Sequence, residues 1–533
     1  MEELEVSVKM LLAGPGTGKT TRIKEIVGSN KDKRFLVLSF TNATVKDLLR
    51  SFEKDEAEIG KRNCMTLHAY ALRITRTLNM CVLDENEQAV AGKYAARFQM
   101  SLDDFCSLFN CVTFDQMIRN ASAYVRDNTV ADDCLIDRDT ILLVDEFQDF
   151  NPAEREFISQ IAARASDTYV FGDDDQCIYD FKNAGIEGIQ SLYGDPAVEK
   201  LQHKNVCFRC PEEVVTAGNN LICNNQRRVP KQLKSNGKAG RVEILQYRTQ
   251  AQTADAVLEK VQRVAEVDQG ASIMLLSSTV YALDSVVEAL ENRGIAYSNL
   301  LTQDVSQDQR DVLWEVKCLL SSNKKHRILY LLFLLWSKGG RKMPGQDVGR
   351  EQFEKSIEQA WLGLVDLAKQ RTSLNARFLE LLPDGADLDA LTTELRYCTI
   401  LSKIPSVDRL CADMAVRGLT NVPSSNCQFD EHGTNVLTIH KSKGLQADYV
   451  FILGVVEGVL PNASRGLNDI ENQRRLLYVG MTRALKGLYL VSTTEWSSQV
   501  VYKFDKSKFR FVPKSAIRLG RASTFISELR GPS

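Results

Sequence analysis

The stretch Met10-Leu11-Leu12-Ala13-Gly14-Pro15-Gly16-Thr17-Gly18-Lys19-Thr20 constrains the fold of this chain more than any other. A short apolar run enters a glycine-rich loop, and a helical pattern leaves it. Glycines let successive backbone N–H groups curl around phosphate oxygens, and the N-terminus of the following helix adds partial positive charge. Lys19 is placed to reach the β- and γ-phosphates and Thr20 to ligate Mg²⁺. Ala13 stands where a strict match has glycine. A glycine-rich turn without a ligand is the alternative reading of the loop taken alone.

A phosphate loop of this kind needs a carboxylate on a neighbouring strand. Ile141-Leu142-Leu143-Val144-Asp145-Glu146 supplies it, an apolar strand ending in two acids at the sheet edge where ligands bind. Asp145 is placed to hold Mg²⁺, and Glu146 to orient and deprotonate the attacking water. By itself such a pair is more often a solvated strand end; beside the loop it points to an NTPase.

The remaining pattern is α/β. Strand-like runs occur at Met10–Ala13, Phe35–Ser39, Ile141–Asp145 and Thr168–Gly172, and again at Val242–Tyr247, Ser272–Ser278, Val436–His440, Tyr449–Val455 and Leu488–Thr493. Two helical stretches interrupt them, one between Arg76 and Asp139 with no strand run, the other between Val316 and Glu431. This predicts a first domain over 1–75 and 139–200 with a helical insertion at 76–138. It predicts a second over 201–315 and 431–500 with an insertion at 316–430. A basic tail follows over 501–533. From Lys503 to Arg530 the tail has eight basic residues and two acids, with Phe504, Phe509 and Phe511 interleaved. It reads equally as a solvated segment or as a contact for nucleic acid or a partner.

Composition narrows the class. Net charge is -2, from 67 basic and 69 acidic residues, which excludes a generic basic coat but not a local basic groove. The longest apolar run, Ile328 to Trp336, is half the ~18 residues a membrane span needs. No signal-peptide layout is present, so a soluble, cytoplasmic (intracellular) protein with reduced thiols and no membrane partner is expected. Of 13 cysteines only Cys207 and Cys210 have C-x-x-C spacing, and two packed thiols are favoured over a metal cluster.

Further motifs resemble the UvrD/Rep family of superfamily 1 DNA helicases. Asp145-Glu146-Phe147-Gln148-Asp149 resembles its motif II, and Gly172-Asp173-Asp174-Asp175-Gln176-Cys177-Ile178-Tyr179 its motif III. Phe40-Thr41-Asn42 is similar to motif Ia, and Thr66-Leu67-His68 to the next one. Asn205-Val206-Cys207-Phe208-Arg209 resembles motif IV more loosely. Thr438-Ile439-His440-Lys441-Ser442-Lys443-Gly444-Leu445 resembles motif V, and Arg474 to Ala484 motif VI. The order and spacing agree from Met10 to about Val491.

The resemblance implies two RecA-like P-loop domains, each interrupted by a helical insertion, with ATP and Mg²⁺ held between them. It places Ala13, Gly14, Pro15, Gly16, Thr17, Gly18, Lys19, Thr20 and Thr21 on the nucleotide, with Phe208 stacked on the base and Gly444 nearby. Thr20 and Asp145 take the metal. Glu146, Gln176, Arg209 and Arg483 form the catalytic set, the two arginines acting from the second domain. Phe40, Thr41, Asn42, His68, Tyr179, Phe181, Lys182, Thr438 and His440 fall on the single-stranded DNA path, core packing being the alternative for the aromatics. Phe181 stands where tryptophan is usual, and Lys182 where arginine is.

The expected activity is that of an ATP-dependent translocase or helicase on single-stranded DNA, moving 3′ to 5′ as the resemblance implies. The alternative is a DNA-sensing regulatory NTPase subunit of a nuclease complex, for example in anti-phage defence, with Ile328–Trp336 as its docking face. Weak discrimination among nucleotide bases is expected. The first glutamine in the chain is Gln88, far downstream of the loop, and Gln446 replaces the usual glutamate at the ribose.

Overall fold

The computed structural model describes residues 7–53, 63–76, 135–301, 429–462 and 470–531 apart from 514, with shorter stretches between 81 and 127. Two α/β bodies carry the site. The first is a six-stranded sheet of β1 (Ser7–Leu12), β2 (Arg34–Ser39), β3 (Cys64–Thr66), β4 (Thr140–Val144), β5 (Asp167–Gly172) and β6 (Glu199–Lys200). Their spatial order is β3-β2-β4-β5-β1-β6, and every pairing is parallel. All five residues of β4 are buried, as an apolar run covered on both faces must be. Helices Lys19–Ser29 and Asn42–Glu53 pack Ile23, Val27, Val45 and Leu48 against Leu11, Val37 and Leu143.

The second sheet comprises β7 (Arg241–Thr249), β8 (Ile273–Ser277), β9 (Ser298–Asn299), β10 (Thr434–Thr438), β11 (Ala447–Leu453), β12 (Ala484–Ser497), β13 (Arg510–Phe511) and β14 (Ile517–Leu519). The order is β9-β10-β8-β11-β12-β14-β13, with β7 also paired to β12. Only the pairings of β14 are antiparallel. Side chains alternate with period two between its faces. Ile273, Leu275, Val436, Phe451, Leu453, Tyr489 and Val491 meet helices Gln250–Val267 and Asp284–Asn292. Met274, Leu276, Leu437, Val450, Ile452, Leu488 and Leu490 meet helices Glu212–Ile222 and Ile470–Met481 on the other face.

The nine expected strands are all present within a few residues of their expected ends, and α/β with RecA-like sheets is the fold. Two expectations need correction. The first insertion is not wholly helical, because Cys81–Leu83 pairs in parallel with Cys111–Thr113. Short strands of three residues carry too little alternation to register in sequence. The segment after residue 500 is not a solvated tail. Phe504 and Phe509 are buried against Trp496, Val456 and Val459, and Phe525 and Leu529 join the core beside the helix Glu212–Ile222. Its described lysines and arginines stay at or near the surface, with Tyr502 and Phe511, while Phe504, Phe509 and Phe525 face in, a division that net charge cannot reveal. The second insertion, apart from its last two residues, and the run Ile328–Trp336 lie outside the described residues. Among the described residues, no helix is long and apolar enough to cross a membrane.

Candidate active site

Parallel pairing brings the ends of β1, β4 and β5 to one edge, with Leu12 opposite Gly172 and Val144 opposite Val170. The chain leaving β1 curls there. Ala13 N–H donates to the Gly172 carbonyl at 3.0 Å, and the Thr17 hydroxyl to the Gly14 carbonyl at 2.7 Å. Gly16 has φ 67°, in the left-handed region that a Cβ disfavours. A Cβ there would also lie 2.5 Å from the Arg209 Cβ. Helix Lys19–Ser29 then starts with no side-chain cap, leaving its first N–H groups for a ligand.

A cavity of about 500 Å³ opens over this loop. Gly14 to Thr21, Asp145, Glu146, Gln176, Phe208, Arg209, Gly444 and Arg483 all line it. The structure thus brings together the nucleotide, metal and catalytic candidates from positions 14 to 483. Ala13 lies just behind, its carbonyl accepting from Lys19 Nζ at 3.2 Å. Thr44, Asp47, Leu48, Lys443, Gln446 and Leu485 line the cavity as well. Of these, Gln446 was expected at the ribose and Lys443 stood inside a recognisable motif without an assigned role; the others carry no local signal.

The carboxylates are set apart by environment. Asp145 is 3% exposed, and its Oδ1 has no hydrogen-bond partner. Burial, with Glu146 beside it, pushes its carboxyl up to about 7. Glu146 goes the other way: against the opposing effect of burial, the Lys19 and Lys443 charges and the Gln148 amide hold its carboxyl down. Its backbone sits at φ 55°, strained for a non-glycine residue and of the kind that accumulates at functional sites. An orphaned, buried carboxylate oxygen in the wall of the cavity that Thr20 also lines fits a divalent cation; Asp145 and Thr20 would hold it.

Arg483 reaches in from the second body. It is 2% exposed, and its recorded partners are all neutral: the carbonyls of Val479 at 2.9 Å and Leu445 at 3.4 Å, Gln176 Oε1 at 3.1 Å and the Thr482 hydroxyl at 3.2 Å. Burial, then the Arg209 charge, pushes its guanidinium down to about 9. Among the described residues no anion hydrogen-bonds to it, although the Glu146 charge acts on it through space, and the cavity is where an anion would come. Gln176 is held on its other side, its amide donating to Asp173 at 2.7 Å. Phe208 is 64% exposed, its N–H bonded to the Gly16 carbonyl at 2.9 Å, so its ring is free for a base.

Two cationic contacts between the bodies were not foreseen. Lys443 Nζ pairs with Asp149 at 2.6 Å and bonds the Gln176 carbonyl at 2.8 Å. Lys231 sits among Asp173, Asp174 and Asp175, at 3.0 Å from the first and 2.7 Å from the last, while Arg228 grips Asp175 with two bonds of 2.9 and 2.7 Å. The three buried aspartates have metal-ligand geometry, but the Lys231 ammonium fills their centre. The signal was present as the basic run Arg227, Arg228 and Lys231, which nothing in sequence tied to the aspartates.

Of the nucleic-acid candidates, three converge. Tyr179 packs on Phe40 with ring centroids 5.2 Å apart and on His440 at 6.2 Å, under the Lys443 ammonium at 5.3 Å. Thr41 and Asn42 start a helix, with Thr41 Oγ accepting from Thr44 N–H at 3.2 Å. Thr438 ends β10 and Lys182 is exposed. His68 Nε2 lies 3.4 Å from the Glu154 carboxylate. The Phe181 side chain is outside the described set. Cys207 and Cys210 are packed thiols, both buried.

Comparison with known proteins points to one family. The family model for the UvrD/REP helicase N-terminal domain matches residues 78–197, and that for the UvrD-like helicase C-terminal domain residues 406–495. The chain is 22% identical to the ATP-dependent DNA helicase Rep of Buchnera aphidicola subsp. Schizaphis graminum, over 90% of each chain. It is 24% identical to the ATP-dependent DNA helicase PcrA of Leuconostoc citreum, over 91% of this chain and 79% of that one. To the putative ATP-dependent DNA helicase YjcD of Bacillus subtilis it is 25% identical, over 66% and 51%.

Proposed function

The chain belongs to the UvrD/Rep family of superfamily 1 helicases, and from that premise we propose that it hydrolyses ATP between its two RecA-like bodies to move along single-stranded DNA. It is an ATP-dependent DNA helicase of the Rep/PcrA kind; single-strand translocation and its 3′ to 5′ direction belong to the proposal. The observation that carries the reading is Arg483, a fully buried cation from one body whose hydrogen-bond partners among the described residues are neutral, facing the other body's phosphate loop.

The chain's own groups divide the work. Backbone N–H groups of the loop and Lys19 bind the triphosphate. Mg²⁺ held by Asp145 and Thr20 would neutralise charge on the β- and γ-phosphates. Glu146, kept ionised by Lys19 and Lys443, takes the proton of the attacking water. Arg483 and Arg209 stabilise charge developing on the γ-phosphate. Gln176 touches Arg483 through its side chain and Lys443 through its carbonyl, so loss of the γ-phosphate is felt two residues away at Ile178, before Tyr179. Tyr179 donates to the His440 carbonyl at 3.3 Å, which links that signal to the second body. Opening and closing then alternate the grip on the strand.

The reading in which turnover gates a partner nuclease rests on Ile328–Trp336, outside the described residues. The test is phosphate release with and without single-stranded DNA, for the parent chain and Lys19→Ala. Strong stimulation in the parent and none in the variant is expected; turnover indifferent to DNA would remove the motor.

A further inference from the structure

Cys207 and Cys210 are buried at the point where the second body touches the phosphate loop. Cys207 ends the short strand Val206–Cys207, and Cys210 precedes Pro211 and the helix Glu212–Ile222. The Cys210 N–H points at Cys207 Sγ at 3.4 Å. Between the two lie Phe208, whose N–H holds the Gly16 carbonyl, and Arg209, whose Cβ abuts Gly16. The Cys210 thiol donates to the Thr482 carbonyl at 3.4 Å, next to Arg483. One dithiol therefore underlies the base contact and both arginines. No other pair in this chain has C-x-x-C spacing.

The Cys207 sulfur is reactive in kind. The Cys210 thiol, the N–H groups of Cys210 and Arg209 and the Arg209 charge hold it down at about 6, against burial, while Cys210 is pushed up. A thiolate next to a cation and a resolving thiol is the arrangement found at oxidisable sites. What covers it is the phosphate loop: a Cβ on Gly16 would lie 3.1 Å from Cys207 Sγ. Parting of the loop from Phe208 and Arg209 would uncover the sulfur, and a nucleotide held against all three would oppose it.

We propose that Cys207 and Cys210 are a reversible oxidation site at which a peroxide closes a disulfide and withdraws Phe208 and Arg209 from the nucleotide. The Cys207 thiolate attacks one peroxide oxygen, the O–O bond breaks, and a sulfenic acid forms as water leaves. The Cys210 thiol then displaces a second water from that sulfur to give the S–S bond. Two thiols lose two protons and two electrons, and the peroxide takes them up to become two waters. The bridge tightens the turn, removes the Cys210 bond to Thr482 and pulls the Phe208 N–H off Gly16. The functional consequence rests on the ATPase reading; the site itself does not.

The full reduced chain is treated with hydrogen peroxide, with and without a non-hydrolysable ATP analogue, and its peptides are mapped by mass. A Cys207–Cys210 disulfide, formed more slowly with the analogue, is expected. The oxidised chain should bind the analogue more weakly and, with DNA, turn over ATP at least ~10-fold more slowly, as withdrawal of an arginine from the γ-phosphate requires. Dithiothreitol should restore both. Cys210→Ser and Cys207→Ala should remain active and peroxide-resistant. If either folds poorly, mapping and reversal in the parent chain still decide. Absence of the disulfide, a disulfide without loss of binding, or equal sensitivity in both variants would overturn the proposal. A reduced chain without ATPase would overturn the motor instead, leaving mapping and analogue binding to judge the site.

Discussion

Arg483→Met separates a transition-state role from a structural one. Burial, then the Arg209 charge, moves the guanidinium in this site from its ordinary value down to about 9. At ~1.4 kcal/mol per pH unit, keeping that charge costs the folded, nucleotide-free protein about 5 kcal/mol. Methionine removes the charge and keeps most of the apolar volume. It also forfeits bonds to Val479, Gln176 and Thr482, each worth about 1–2 kcal/mol. The two effects are similar in size and opposite in sign, so the stability of the nucleotide-free protein should change by no more than about 2 kcal/mol. With ATP bound the balance differs. A γ-phosphate oxygen loses its cation, and turnover should fall by ~10³–10⁵, or about 4–7 kcal/mol of barrier. Urea unfolding, binding of a fluorescent ATP analogue and DNA-stimulated phosphate release read the three quantities. A loss above about 4 kcal/mol in the nucleotide-free protein would make Arg483 a core cation, and turnover within ~10-fold of the parent would remove it from the chemistry.

Glu146→Gln should keep ATP binding and lose turnover; single-turnover hydrolysis surviving in this variant would move the base elsewhere. Gly16→Ala should impair both bodies' contact, because the added Cβ meets Arg209 in a backbone already at φ 67°, and a lowered midpoint of thermal unfolding with weakened analogue binding would show it. Burial, with Lys443 opposing charge, depresses His440 to about 4. The unfolded imidazole takes a proton near pH 6.5 and the folded one does not, so stability is intact above 6.5 and falls as pH drops toward 4. The loss at pH 5 should be about 1–2 kcal/mol, and His440→Asn should flatten the profile between pH 6.5 and 5. GTP and CTP should compete with ATP within ~100-fold, since an exposed Phe208 ring accepts any base; a larger preference would reveal a base-reading group.

Much of the site could be read before any fold was known, for reasons visible in particular residues. Gly16, Lys19 and Thr20 act through backbone geometry and reach within one loop, so their spacing carries the chemistry. Asp145 and Glu146 follow five buried residues, four of them apolar, and a strand so marked puts its end at the ligand edge. Lys231 is different. Its partners Asp173, Asp174 and Asp175 are more than 50 residues away, and a lysine in a basic run looks solvated until burial is known. The C-terminal segment failed for the same reason, since Phe504 and Phe525 are core residues only by virtue of what they meet.

The sequence by itself determined the local chemistry: a phosphate-cradling loop, a strand-end carboxylate pair, buried strands with period-two faces and the order of motifs along one chain. These depend on residues within a few positions of each other, where backbone stereochemistry sets the geometry. Tertiary structure alone decided which side chains oppose one another across the cleft. It paired Lys443 with Asp149 and clasped the acidic triad with Lys231 and Arg228. It buried Arg483 with neutral hydrogen-bond partners among the described residues and laid the Cys207–Cys210 turn against Gly16. Electrostatic strength and thiol reactivity scale with desolvation and with distance through space, and neither quantity is a property of sequence separation.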